Sequence, residues 1–169
     1  MDDRSESIYW ETLSLETKEV EYDHLLSTLF KEDERFWSEL SDDEQNNAWL
    51  LQRIKDVFLE GGFLQSEELD SDLADICNIN YYADKIMSRY GSMPPTKLIA
   101  LMDAINMESS SREFILHLAG NKPDQNVEIK LLKKLAQAKT DHLKKITEKL
   151  QCAQSVLTGD EIRSVSFYV

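Results

Sequence analysis

Apolar residues recur three and four positions apart along most of the chain, the spacing that gathers side chains on one face of an α-helix. Trp49, Leu50, Ile54, Val57 and Phe58 form one such stripe over residues 42–60. Leu98, Leu101, Met102 and Ile105 form another over 95–106, and Phe114, Ile115 and Leu118 continue it. The spacing predicts helices over 16–31, 33–40, 42–60, 67–77, 80–90, 95–106, 111–119 and 124–157. Punctuation agrees with this division. Gly61, Gly91, Gly120 and Gly159 each follow a periodic segment, where a left-handed residue commonly closes a helix. Ser41 to Glu44 and Ser110 to Glu113 match capping boxes, and Pro94-Pro95 and Pro123 stand at the starts of two more segments. No repeat of constant period is present, so a solenoid is not expected. The expected fold class is all-α, an irregular multi-helix bundle.

The last predicted helix differs from the others. Ile129, Leu132, Ala136, Lys139, Leu143, Ile146, Leu150, Ala153 and Leu157 alternate three and four apart, a coiled-coil seam with Lys139 as its polar intruder. This seam reads either as the longest core helix or as an interface with a partner or a second copy of the chain. The organisation that follows is an acidic helical bundle over 1–123, a long basic heptad-patterned helix over 124–157 that packs on the bundle or projects from it, and a tail over 158–169. At the two ends, Val165, Phe167 and Val169, and Ile8, Trp10 and Thr12, alternate in a strand-like way that suits a small ribbon.

Length and composition narrow the class. A chain of 169 residues with 41% hydrophobic and 30% charged residues has room for one folded domain. No apolar run approaches a membrane span, and the acidic first residues do not resemble a signal peptide. Cys77 and Cys152 have no metal or redox spacing, which suggests the cytoplasm or another reducing compartment, and their apolar surroundings suggest inert packing. The net charge of −13 is uneven. Residues 1–75 carry 22 acids and 6 bases (−16), residues 76–127 carry five of each (0), and residues 128–169 carry 5 acids and 8 bases (+3). A surface this acidic repels phosphate backbones, so direct nucleic-acid binding is not expected, whereas a basic protein partner is compatible with it.

Catalytic chemistry is sparse. His24, His117 and His142 do not share a helical face, so a two-histidine zinc motif is absent. There is no phosphate-binding glycine loop, dinucleotide fingerprint or nucleophile elbow. Residues 57–68 imitate a calcium loop at Gly62 and Glu68, but Val57, Leu59 and Gly61 offer no side-chain oxygen at the first ligand positions. The acids Glu67, Glu68, Asp70, Asp72 and Asp75 read as a charged helix start. Neither a cofactor nor a metal is expected from these patterns, nor is an enzyme.

The tail carries a sharper signal. Arg163, Val165 and Phe167 resemble the short docking motif by which many regulators bind the catalytic subunit of protein phosphatase one. The resemblance covers five residues and implies strand addition, with two apolar side chains entering pockets. Phe167, Tyr168 and Val169 also resemble an apolar ligand of a PDZ domain. The expected function is therefore a non-enzymatic interaction module. Its candidate contact residues are Leu143, Ile146 and Leu150 on the seam and Arg163, Val165, Phe167 and Val169 in the tail. The alternative is an acidic inhibitor that occupies a basic nucleic-acid-binding groove on another protein.

Overall fold

A computed structural model describes residues 3–53, 55, 69–120 and 127–155. The described chain is helical: α1 Asp3–Leu29, a 3-10 turn Lys31–Asp33, α2 Glu34–Arg53, α3 Leu69–Ser92, α4 Lys97–Ala119 and α5 Val127–Ser155. There is no strand among the described residues, so the all-α reading stands. No described helix is long and apolar enough to cross a membrane. The calcium-like loop, Leu157 and the tail lie outside the described residues.

Several predicted breaks are absent. Segments 33–40 and 42–60 run together through α2, 67–77 and 80–90 through α3, and 95–106 and 111–119 through α4. The Ser41 and Ser110 boxes therefore cap nothing. Ser41 instead donates its hydroxyl to the Val20 carbonyl of α1 (3.1 Å), and Glu44 and Ser111 point inward from the middle of their helices. The true cap of α4 is Thr96, whose hydroxyl accepts the Ile99 N–H, just after the two prolines. Gly120 closes α4 as expected, with a φ of 54° and its N–H on the Leu116 carbonyl.

The strand-like reading of Ile8, Trp10 and Thr12 is overturned, because these residues lie inside α1. Ile8 and Thr12 sit one turn apart and face inward, with the Thr12 hydroxyl on the Ile8 carbonyl (2.7 Å), while Trp10 between them faces solvent. Helical geometry alone thus gives the alternation. Cys77 and Cys152 are also corrected: both are exposed and free, on the solvent faces of their helices.

The core is divided into layers. One apolar layer gathers Ile8, Tyr9, Leu13, Leu51, Ile76, Phe114, Ile115, Ile129 and Leu132. The other gathers Tyr22, Leu26, Trp37, Leu40, Ala83, Ile86, Leu101, Met107 and Ile146. Each helix reaches the two layers in the opposite order from its predecessor, so consecutive helices run antiparallel. α1 packs against α2 and α3, and α4 against α5. Between the two layers, α1, α2, α4 and α5 pass through a third, polar level.

Candidate metal centre

Four helices present polar side chains three positions apart at this middle level, and the i,i+3 spacing keeps each pair on one helical face. α1 supplies Glu16 and Glu19, with Asp23 one turn further on. α2 supplies Glu44 and Asn47, α4 supplies Glu108 and Ser111, and α5 supplies Lys139 and His142. All nine are buried. The apolar layers lie above and below the level, so these buried groups rely mainly on one another for partners.

Lys139 stands at the centre with its ammonium fully buried. It donates to Glu44 Oε2 (2.6 Å) and to Glu19 Oε2, and Glu16 Oε2 lies 3.2 Å from Nζ. Glu108 Oε2 is further off, at 3.9 Å. Asn47 Nδ2 also donates to Glu44 Oε2 (2.9 Å) and fixes that carboxylate on α2. His142 faces the other side of the same glutamates. Its Nδ1 lies 2.5 Å from Glu44 Oε1 and 3.3 Å from Glu108 Oε1. Its Nε2 lies 3.4 Å from Asp43 Oδ2, at the half-exposed edge of the level.

The electrostatics follow from burial and pairing. Burial opposes the charged form of Glu44, yet the Lys139 ammonium and the His142 ring hold its carboxyl well below the ordinary range. Burial pushes Glu16 up to about 8, because Lys139 only partly offsets the desolvation and Glu44 adds repulsion. Burial also raises Glu19, Asp23 and Glu108. Desolvation pulls His142 down, but Glu108 and Glu44 outweigh it and raise the imidazole to about 10. The four glutamates likewise raise Lys139 against the pull of burial.

Not every oxygen is satisfied. Glu16 Oε1, Glu19 Oε1 and Glu108 Oε2 are buried without a hydrogen-bond donor among the described residues. The donor atoms of Glu44, Glu108 and His142 all lie within 4.8 Å of one another, a set that can close on one metal ion. Glu16, Glu19 and Glu44 form a second such set, but it surrounds the Lys139 ammonium. A cavity of about 770 Å³ opens beside His142, lined by Asp43, Asn47, Leu50, Lys134 and Asp141 among others.

The seam residues proposed from sequence lie elsewhere. Ile146 is buried in the second apolar layer, Leu150 packs against that layer, and Leu143 is half-buried. The seam is thus largely covered within the monomer. Arg163, Val165, Phe167 and Val169 lie outside the described residues. Sequence reasoning treated Lys139 as an intruder in an apolar seam and Glu44 as a capping residue, although together they hold the middle level. The missed signal was the pairing itself, together with the inward polar stripe Thr12, Glu16, Glu19, Asp23 and Ser27 along α1. No family model, curated protein or solved structure matches the chain.

Proposed function

We propose that this chain is a metal-binding helical bundle in which Glu44, Glu108 and His142 hold one divalent first-row ion. The observation that carries this reading is a charge imbalance among buried side chains. Five buried carboxyl groups (Glu16, Glu19, Asp23, Glu44 and Glu108) face two cationic side chains, Lys139 and His142. Burying a carboxylate without a partner costs several kcal/mol, so the level must take up protons or a cation. Two features favour the cation. One imidazole nitrogen faces two carboxylate oxygens at once, which one N–H serves poorly and one metal ion serves well. The other nitrogen rests near Asp43, the carboxylate–histidine arrangement that orients a metal-ligating imidazole.

Two carboxylates and one imidazole suit manganese, iron or zinc in the divalent state. Metal–ligand bonds of about 2.0–2.2 Å place neighbouring ligand atoms about 3.0–3.4 Å apart, so His142 would withdraw slightly from Glu44, while its 3.3 Å separation from Glu108 already fits. Three protein ligands leave coordination positions open, as in sites that take up an exogenous small ligand. Equilibrium dialysis against Mn²⁺ or Fe²⁺ without oxygen, followed by elemental analysis, tests the reading. One ion per chain is expected, with loss in both Glu108→Gln and His142→Ala, and affinity weakened ~10-fold in Asp43→Asn. Absence of a stoichiometric ion, or full retention in both ligand variants, would overturn it.

A second reading keeps the chain an interaction module. What supports it is an exposed aromatic pair: Trp10 and Trp49 lie at the same end of the α1–α2 pair, where the Tyr9 hydroxyl bonds the Leu51 carbonyl. On this reading, partner capture from native lysate is lost in a folded Trp10→Ser, Trp49→Ser double variant. The acidic-inhibitor alternative has less surface available than its sequence suggests. Among the described residues of 1–75, six acids (Glu16, Glu19, Asp23, Asp33, Glu44 and Asp72) are buried.

A further inference from the structure

We infer that Lys139 is a built-in counter-cation standing where a second divalent ion would bind, so that a centre laid out for two ions takes one. This rests on the metal-binding reading above. The evidence is the way two carboxylates are shared. Glu44 directs Oε1 toward His142 (2.5 Å) and Oε2 toward the Lys139 ammonium (2.6 Å). Glu108 divides in the same way, with Oε1 3.3 Å from His142 and Oε2 3.9 Å from Lys139. Each glutamate therefore spans two cation positions, one beside the imidazole and one held by the ammonium. Glu16 and Glu19 face only the second position, as terminal ligands. Helical bundles hold carboxylate-bridged metal pairs in a related way, with one Glu from each of two helices and a Glu-x-x-His pair from each of the other two; here the pairs differ, and Lys139 replaces a carboxylate beside His142.

Charge arithmetic separates this role from ordinary pairing. The five buried carboxyl groups contribute −5 when ionised. With Lys139 and one divalent ion the sum is −2, and with two divalent ions and no lysine it is −1. Removing the ammonium therefore adds negative charge that a second ion more than offsets. It also vacates a position at which three carboxylate oxygens already converge on Nζ. A purely structural lysine predicts the opposite, namely a destabilised bundle with unchanged metal content.

The experiment is metal stoichiometry of full-length Lys139→Ala against the unaltered protein, by anaerobic Mn²⁺ titration with elemental analysis after desalting. The expected result is a rise from one ion per chain to two, with a thermal midpoint that metal restores in the variant. Lys139→Gln, which keeps a polar side chain and loses the charge, is expected to gain the second ion as well. It serves if the alanine variant does not fold, and failure of both to fold even with metal present would overturn the inference. One ion in both the unaltered chain and the variants would overturn the counter-cation role while leaving the metal reading intact. No ion in the unaltered chain would overturn the metal reading itself, whatever the variants bind.

Discussion

The two apolar layers and the polar level between them solve the same packing problem with opposite chemistry. In the layer around Leu26, Trp37 and Leu40, each side chain lowers the free energy by leaving water, at about 25 cal/mol per Å² of apolar surface. In the level around Lys139, every group pays desolvation first and recovers it only through its neighbours. The apolar layers tolerate exchanges of similar volume, but the polar level needs complementary charges placed to within an ångström or so. A fold does not require such a level. A chain that keeps one at the centre of its core invests stability there, and the difference between the layers points to a site.

The largest predicted effects separate the two regions by how they are rescued. Leu26→Ala should cost ~2–5 kcal/mol in denaturant unfolding through the cavity it leaves. Lys139→Ala in metal-free protein should cost ~3–5 kcal/mol, because it strands buried carboxylates. Added Mn²⁺ should stabilise Leu26→Ala only as much as it stabilises the unaltered protein, leaving the gap between them, and should close much of the gap for Lys139→Ala. Equal recovery, or none in either, would erase the distinction.

A somewhat smaller effect tests whether the polar level stabilises the fold at all. Replacing Glu16, Glu19, Asp23, Glu44, Asn47, Glu108 and His142 with Leu and Lys139 with Met should leave the protein as stable as before, or more stable by ~1–4 kcal/mol. Metal uptake should vanish. A large loss of stability in a folded variant would make the polar level a structural device, and the comparison would fail.

The pH dependence comes next. The folded metal-free protein holds protons on Glu16 (about 8, against an ordinary 4.5) and His142 (about 10, against 6.5) more tightly than the unfolded chain does. Their stabilisation is complete below the ordinary values and is lost as pH rises through about 8 and about 10. The depressed Glu44 acts in reverse, and its contribution is lost as pH falls below the ordinary carboxylate range. The thermal midpoint of metal-free protein should therefore fall between pH 5.5 and 8, and Glu16→Gln should flatten that fall. An unchanged slope in the variant would remove Glu16 from the account.

The smallest effect lies near the surface. Asp33 is held by Lys97 and Lys149, whose bonds lower its carboxyl despite burial. Both lysines are partly exposed, so Asp33→Asn should cost only ~1 kcal/mol. The loss should disappear in acid, as the native carboxyl itself becomes protonated.

Helical class was legible because burial of apolar faces imposes its period on the sequence, as at Leu98, Leu101 and Met102. Helix ends were less legible. Ser41 and Ser110 sit in capping patterns, yet tertiary contacts carry the helices straight through them. The centre was hidden for a related reason. Glu16, Glu19 and Asp23 count as solvent-facing in any hydropathy pattern, and the strand-like reading of Ile8, Trp10 and Thr12 put the predicted start of α1 at residue 16. Only the contact of four helices reveals that Lys139, distant in sequence from Glu16, Glu19, Glu44 and Glu108, shares one level with them.

The most direct test of the central claim is anomalous X-ray scattering from crystals of the full chain grown with Mn²⁺. The account predicts one peak per chain, about 2.0–2.2 Å from His142 Nδ1 and from an oxygen each of Glu44 and Glu108, with Lys139 still paired to Glu19. A fully occupied crystal surface site with no density at that level, or an unchanged His142–Glu44 hydrogen bond in metal-saturated protein, would contradict it.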